Sequence, residues 1–394
     1  MSPLRILIAH CRYQQPGGED RVVAAEAELL ARHGHTVEFY ERDNHDISGM
    51  GHLNIASHTV WSAKSSREIR ALCAQFRPDV IHVHNTFPLI SPSIYWAAHD
   101  LKVPVIQTLH NFRLVCPQAT LLREGRICED CVGKFPWPAI IHRCYRGSAA
   151  ASGTIALMLG IHRALGSFRD KVARYIATSR FYADRFVVGG IPANKISVKP
   201  HFVDLPALPG RQRCGGLYVG RLSSEKGIKT LMEALRLLPA RNFTVIGDGP
   251  ERAHVTAPVS FVGWQEPSQV YERMRSAEYI VIPSICYESG PLALIEAFAC
   301  GLPVIASRLG PMAELIEDGK TGWLFDPGFS TSLAEKLRWA GANPEQMRKM
   351  GENARAEYEA RYTPEKNYRQ LINIYKNSIT VEACETQSAA RSVY

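Results

Sequence analysis

Residues 279–307 read YIVIPSICYESGPLALIEAFACGLPVIAS. Residues 279–283 are an apolar run of strand length. A loop of small residues follows, and Gly290-Pro291 predicts a helix start with proline at the first helical position, where its missing N–H leaves nothing unpaired. Cys300-Gly301 and then Pro303 predict the stop, and residues 304–306 the next strand. This is a β–α–β unit. Its helix N-terminus, with free N–H groups and the positive end of the dipole, is an anion site beyond the strand end. Two carboxylates mark it. Glu288 stands in the loop. Glu296 stands among Leu292, Ala293, Leu294, Ile295, Ala297, Phe298 and Ala299, in a helix apolar on every side and therefore expected to be buried. A buried carboxylate is costly unless something pairs with it. The plain alternative puts Glu296 on a thin exposed stripe and leaves Glu288 an ordinary loop acid.

The same alternation extends in both directions. A strand at 216–220 runs into Arg221-Leu222-Ser223-Ser224-Glu225-Lys226-Gly227, with a helix from about Ile228. An Arg and a Lys between a strand end and a helix form either a phosphate clamp or ordinary solvated charge. Strands at 243–247 and 260–263 follow, the first ending in the glycine turn Gly247-Asp248-Gly249-Pro250. The first half opens with a strand at 4–10, a loop holding Gly17-Gly18, an amphipathic helix around 21–32 and a strand at 36–40. It lacks G-x-G-x-x-G, so no dinucleotide is assigned to it. An apolar strand at 79–84 and another at 103–109 come next. His110 stands at the C-terminal end of the latter, where open α/β sheets bind ligands. A lone histidine is as readily structural. Pro200, Pro206, Pro209 and Gly210 mark a linker.

With 394 residues there is enough chain for two α/β domains with full cores. Hydrophobic content of 46% and charged content of 21% are those of a soluble globular protein. The start at Met1 shows no leader pattern, and no apolar run reaches the roughly 20 residues that span a bilayer. Ten cysteines without such a leader fit a reducing cytosol. The net charge of +8 is uneven: residues 1–205 hold 24 Lys and Arg against 17 Asp and Glu. A basic first half suits an anionic lipid surface or a lipid diphosphate. Nucleic acid is disfavoured, because the basic residues are scattered and no nucleic-acid motif is present. Simple solubility charge is the alternative.

Glu288 and Glu296, with seven residues between them and Gly290-Pro291 after the first, resemble the E-x7-E signature of retaining glycosyltransferases. The surrounding ESGPLALIEAFACGLPVIAS resembles glycosyltransferase family 4. GRLSSEKG at 220–227 resembles the family's GR…EKG motif, and TLHN around His110 its first-domain histidine, with Asn111 where many relatives have Asp. The resemblance spans nearly the whole chain. It implies an α/β chain of the GT-B fold, two Rossmann-like domains facing each other across a cleft. Residues 1–205 would be the acceptor-side domain and 206–365 the nucleotide-sugar domain. A helix at 366–380 would return to the first domain, and 381–394 would be a mobile tail. It further implies that Glu288 contacts the donor sugar, Glu296 the ribose, and Arg221, Lys226 and the backbone at Gly290, Pro291 and Leu292 the diphosphate. Gly247 and Val262 would lie near the base, Gly17 and Gly18 near the diphosphate and acceptor, and His110 at the reaction centre.

No two Asp stand two apart, so the D-x-D that holds a divalent metal in the other large glycosyltransferase fold is absent. The resemblance implies metal-independent, retaining transfer of a hexose from a UDP- or GDP-sugar. The departing phosphate oxygen would take the acceptor proton. The acceptor would be a glycan or polyprenyl-diphosphate-linked, in cell-surface polysaccharide or lipopolysaccharide assembly on the cytoplasmic face of the membrane. A GT-B nucleotide-sugar-binding protein without turnover and a basic membrane-surface scaffold are the alternatives.

Residues 112–150 read as a long loop-like insert with few apolar residues. It carries Cys116, Cys128, Cys131 and Cys144, and Pro117, Pro136 and Pro138 discourage continuous secondary structure. Four thiolates with one C-x-x-C pair suit a structural zinc. A redox C-x-x-C and four unlinked core thiols are the rivals. A subgroup of family 4 shares a similar cysteine pattern. The helix expected at 154–165 is either core or interfacial, and core is the plainer reading.

Overall fold

A computed structural model describes residues 2–15, 17–206, 212–239, 242–256 and 259–391, with the backbone alone beyond residue 380. Pro209 and Gly210 of the expected linker lie outside the described residues. The chain divides into two compact units. Unit 1 is Met1–Thr120, Glu129–Lys199 and Tyr368–Tyr394; unit 2 is Leu121–Cys128 and Pro200–Asn367.

Unit 1 is built on strands β1 (Arg5–Arg12), β2 (Thr36–Asp43), β3 (Val80–Asn85) and β4 (Val105–Thr108). After a two-stranded hairpin of β5 (Leu122–Arg123) and β6 (Arg126–Ile127), grouped with unit 2, come β7 (Arg174–Ala177) and β8 (Ile196–Val198). The sheet order is β2-β1-β3-β4-β7-β8 and every pairing is parallel. Its helices are α1 (Gly18–Arg32), α2 (His52–Val60), α3 (Ala63–Phe76), α4 (Ser93–Asp100), α5 (Trp137–Ile141), α6 (Ala149–Ala164), α7 (Ser167–Asp170) and α8 (Arg180–Val188).

Unit 2 carries β9 (Gly216–Val219), β10 (Phe243–Ile246), β11 (Ser260–Gly263), β12 (Tyr279–Ile282), β13 (Val304–Ser307) and β14 (Gly322–Phe325), in the order β11-β10-β9-β12-β13-β14. Its helices are α9 (Ile228–Arg236), α10 (Pro267–Ser276), α11 (Leu292–Ala299), α12 (Pro311–Leu315), α13 (Ser330–Ala342) and α14 (Pro344–Arg361). The last helix, α15 (Pro364–Arg391), passes from unit 2 to unit 1 at Tyr368 and is helical to Arg391, where a mobile tail is expected from residue 381.

The sheet of unit 2 shows why its strands read as unbroken apolar runs. Leu217, Ile280, Ile282, Val304 and Ala306 pack with α11 on one face. Tyr218, Val281, Ile305 and Phe325 pack with α9 and α13 on the other. Alternate residues serve opposite faces, and helices cover both. Burying each large side chain contributes roughly 1.5–3 kcal/mol, so Phe298, fully buried on α11, ties that helix to the sheet. The order is the doubly wound pattern, which reverses between β9 and β12; in unit 1 it reverses between β1 and β3. Ligands bind such sheets beyond the carboxyl ends of the strands at the reversal.

The insert differs from expectation. It contains the β5–β6 hairpin, α5 and the start of α6, and it buries Phe112, Leu114, Val115, Leu121, Val132 and Ala139. Pro138 sits in the first turn of α5, where a missing N–H costs nothing. The insert therefore has apolar side chains with which to hold itself.

Candidate active site

β9 and β12 are parallel neighbours, with Tyr279 opposite Gly216, so their C-terminal loops leave the sheet on the same side. Gly227, φ +71°, closes a single 3-10 turn over Ser224–Lys226. A Cβ there would stand 1.8 Å from the Pro283 carbonyl oxygen. Only glycine lets the two loops touch, and the Ile285 N–H then donates to the Glu225 carbonyl at 2.9 Å. The contact delivers Lys226 Nζ to both oxygens of Glu288, at 2.7 and 2.8 Å. Ser284 Oγ–H also donates to Glu288 Oε1.

Burial pushes the Glu288 carboxyl up, but the Lys226 charge and the hydrogen bonds from Lys226 and Ser284 outweigh it and hold the group below the usual carboxylate range. Burial likewise disfavours the Lys226 ammonium, and Glu288 overcomes it, raising that pKa. The pair is ionised at neutral pH.

Other expected donor residues of unit 2 lie on the β9, β10 and β11 side of the sheet. Arg221 is exposed, and its carbonyl accepts from Tyr218 Oη–H at 2.8 Å. Gly247 has φ +134°, and a Cβ on it would stand 1.9 Å from the Gly220 oxygen, so the β10 loop lies directly on the Arg221 loop. The Leu222 N–H donates to Asp248 across that contact. Val262, on β11, is half-buried.

The expected helix starts one residue late. Pro291 is the cap, with φ −70° and ψ 98°, and Leu292 is the first helical residue. The Pro291 carbonyl accepts from the Leu294 N–H at 3.0 Å, as a capping residue's does. Gly290, φ 128°, precedes it. Glu296 is 4% exposed, so it does not lie on an exposed stripe. Tyr271 of α10 donates its hydroxyl to Glu296 Oε1 at 3.2 Å.

In unit 1 the expected residues are Gly17, Gly18 and His110. Gly17 caps α1: Asp20 accepts its N–H at 2.8 Å. A side chain at Gly17 would meet nothing within 4 Å, so packing does not demand glycine there. Asp20 also accepts from His10 Nε2–H at 2.9 Å. His110, 8% exposed, pairs its Nε2 with Nδ1 of His84 at 2.9 Å. Asn111 anchors its turn in two ways. Its Oδ1 accepts the Arg113 N–H at 3.0 Å and its Nδ2 donates to Tyr13 Oη at 3.2 Å. Tyr13 in turn donates to Glu19 at 3.0 Å.

Behind His110 lies a buried charged cluster that sequence reading missed. Lys199 Nζ is 2.5 Å from Glu26 Oε1, and Glu26 Oε2 is 3.8 Å from His84 Nε2 and 4.0 Å from His82 Nδ1. Glu26, His82 and His84 are spaced to hold a cation, and the Lys199 ammonium is one. Burial drives the pKa of His84 well down and that of His82 to about 4, so both are neutral. The carboxylate favours the proton on His84 Nε2, which leaves Nδ1 to accept from His110. The signal was present in His82-x-His84, two polar residues on one face of an otherwise apolar strand.

Cys116 and Cys131 are buried, and Cys128 and Cys144 half-buried. The Arg113 guanidinium is within Coulombic reach of Cys116, and Arg163 of Cys131.

Residues 16–206 match the family model described as Glycosyltransferase Family 4, and residues 216–357 the one described as Glycosyl transferases group 1. The sulfoquinovosyl transferase SQD2 of Arabidopsis thaliana is 33% identical over 73% of this chain and 54% of its own length. The amylovoran biosynthesis glycosyltransferase AmsK of Erwinia amylovora is 29% identical over 50% of this chain and 54% of its own length. The chain thus spans about half the length of these curated relatives. Among solved structures, Anabaena Alr3699/HepE in complex with UDP matches with a TM-score of 0.67 at 18% identity, over 95% of this chain and all of that one. The two glycosyltransferase models fall one on each half of the chain, and its fold is the GT-B fold of its structural neighbours.

Proposed function

We propose that the chain moves a hexose, with retention, from a UDP- or GDP-sugar to a glycan or lipid-linked acceptor in cell-surface polysaccharide or lipopolysaccharide assembly at the cytoplasmic membrane face. The observation that carries this reading is the Lys226–Glu288 pair at the strand-order reversal of unit 2. An ammonium has three N–H donors. Glu288 takes two, and the third is left for a phosphate oxygen. Glu288, locked as an anion by Lys226 and Ser284, accepts from sugar hydroxyls. Lys226, the exposed Arg221 and the N-terminus of α11 neutralise the leaving diphosphate, and such preorganised donors are often the largest catalytic contribution. Two cations and a carboxylate already engaged by one of them suit an anion better than a metal, so the proposal is metal-independent. Acceptor handling is assigned to unit 1, with His110 as a supporting group rather than a nucleophile. The UDP bound by Alr3699/HepE supports a nucleoside diphosphate as the ligand class.

The test begins with thermal shifts of the full chain with UDP and with GDP. Ligand at 100 times its dissociation constant should add roughly 2.7 kcal/mol. Release of nucleoside diphosphate from the matching sugar, driven by acceptor and undiminished by EDTA, is the expected result. Binding without release under any acceptor would leave the non-catalytic alternative. No shift with either nucleotide would end the reading, and magnesium-dependent turnover would end its metal-free part.

A further inference from the structure

On unit 1, α6 packs against α2 and α5, and large apolar side chains stand out from all three. Leu53 on α2 is 88% exposed, Ile141 and Trp137 on α5 are 65% and 58%, and Leu157 on α6 is 52%. Phe135, 54% exposed, lies over α6: a Cβ at Gly160 would stand 2.6 Å from its ring. A surface helix normally turns charge outward. The outward stripe of α6 is Ala150, Gly153, Thr154, Leu157, Ile161 and Ala164, with no charge at all.

The sequence around these side chains is basic. Residues 131–168 contain no Asp or Glu but hold Lys134, Arg143, Arg146 and Arg163, while Arg169 beyond them pairs with Asp170. Residues 47–67 contain none either, and hold Lys64 and Arg67. A second copy of this face would set like charge against like across a two-fold contact. An anionic bilayer meets both features: acyl chains take the apolar side chains, aromatic rings settle at headgroup depth, and phosphates take the cations. No described helix is long and apolar enough to cross a membrane, so the contact lies on the surface.

We propose that this face of unit 1 docks on an anionic lipid bilayer. Trp137, Ile141 and Leu157 enter the acyl boundary, and Lys134, Arg143 and Arg146 meet lipid phosphates. The inference deepens the lipid-linked-acceptor reading and takes only its purpose from it.

The experiment is co-sedimentation of the full chain, without donor, with vesicles of phosphatidylglycerol and phosphatidylcholine, and with vesicles of phosphatidylcholine alone. Binding to the anionic vesicles, weakening as salt screens the charges, is expected. Trp137→Ser with Ile141→Asn should weaken it at least about tenfold, since each buried apolar side chain contributes more than that factor. Leu237→Ser, at a leucine 51% exposed in unit 2, should not. Circular dichroism confirms that both variants fold. Equal binding by wild type and double variant, or indifference to lipid charge, overturns the proposal. Self-association that the double variant abolishes, with no vesicle binding, also overturns it and gives the face to a second copy. Because vesicle binding is read without nucleotide, a chain that docks but binds no nucleoside diphosphate would fail the transfer reading alone.

Discussion

Lys226 Nζ holds both carboxylate oxygens of Glu288, at 2.7 and 2.8 Å, although the family resemblance assigns one residue to the diphosphate and the other to the sugar. The two subsites are therefore coupled, and unequally. Glu288 is 9% exposed, whereas the Lys226 side chain is 32% exposed. Lys226→Ala strands a buried anion, a change that costs about 3–5 kcal/mol when the partner stays buried. Glu288→Gln strands a cation that water can still reach, and Gln keeps an acceptor for Ser284. Lys226→Ala should thus lower the melting temperature more, and lose both transfer and nucleotide affinity. Glu288→Gln should nearly abolish transfer while the nucleoside diphosphate still binds. Equal losses of stability in the two variants would mean that the pair is not held as a buried ion pair.

Glu296 sits 4% exposed in an apolar helix with the Tyr271 hydroxyl on Oε1. The tyrosine fixes the carboxylate, and a ribose diol would donate to the same group. Glu296→Ala should weaken nucleoside diphosphate binding by on the order of 1.5–3 kcal/mol, the range for a hydrogen bond to a charged group. Tyr271→Phe should cost less. Calorimetry giving the same affinity for wild type and Glu296→Ala would remove it from the nucleotide site.

Stability should peak near pH 7. The His82 pKa falls to about 4 by burial, that of His84 falls well below 6.5, and those of His35 and His162 also fall. Their contribution is present above pH 6.5 and fades as pH drops, because the unfolded chain then binds protons that the folded chain refuses. Glu288, lowered from 4.5, loses its share only below that value. Glu19 runs the other way. Burial raises it to about 8, against hydrogen bonds from Tyr13 and Asn111 and the Arg113 charge. Between pH 4.5 and 6.5 the four histidines outweigh one carboxyl and stability rises. Above about pH 7, once the unfolded histidines have shed their protons, Glu19 prevails, and stability should fall by up to about 1.4 kcal/mol per pH unit as pH approaches 8. Denaturant titrations across this range should show the alkaline fall in wild type and its loss in Glu19→Gln. The same fall in both would acquit Glu19.

Residues 279–307 were readable because their signals are local: an apolar strand, Gly290-Pro291 at the start and Cys300-Gly301 with Pro303 at the end of one helix. Lys226 and Glu288 could be named, but not joined, since their meeting depends on Gly227 pressing against Pro283. His82-x-His84 hinted at the Glu26 cluster, but its assembly was beyond reach for the same reason on a larger scale. Glu26, His82, His84, Lys199 and Tyr375 meet across nearly the whole chain, and each alone looks like an ordinary strand or helix residue. Pro291 shifted by one because capping is set by ψ, which proline does not fix. The insert was misjudged because Val115, Leu121 and Val132 are spaced without a period, and only packing shows them buried.

The cysteine set yields the last prediction. The buried Phe112, Leu114, Val115 and Val132 give the insert apolar support of its own, so zinc at Cys116, Cys128, Cys131 and Cys144 is not needed to order it. What remains is the C-x-x-C spacing. With its own apolar contacts, the insert should survive metal loss better than a zinc finger, which unfolds outright. Elemental analysis of protein purified without added metal should give about one zinc per chain, as a closed four-ligand site requires. Cys128→Ser should lose that zinc and open residues 112–150 to protease, while far-ultraviolet dichroism from the two six-stranded sheets stays in place. Well-folded protein with no zinc and four freely titrating thiols would return these residues to the core.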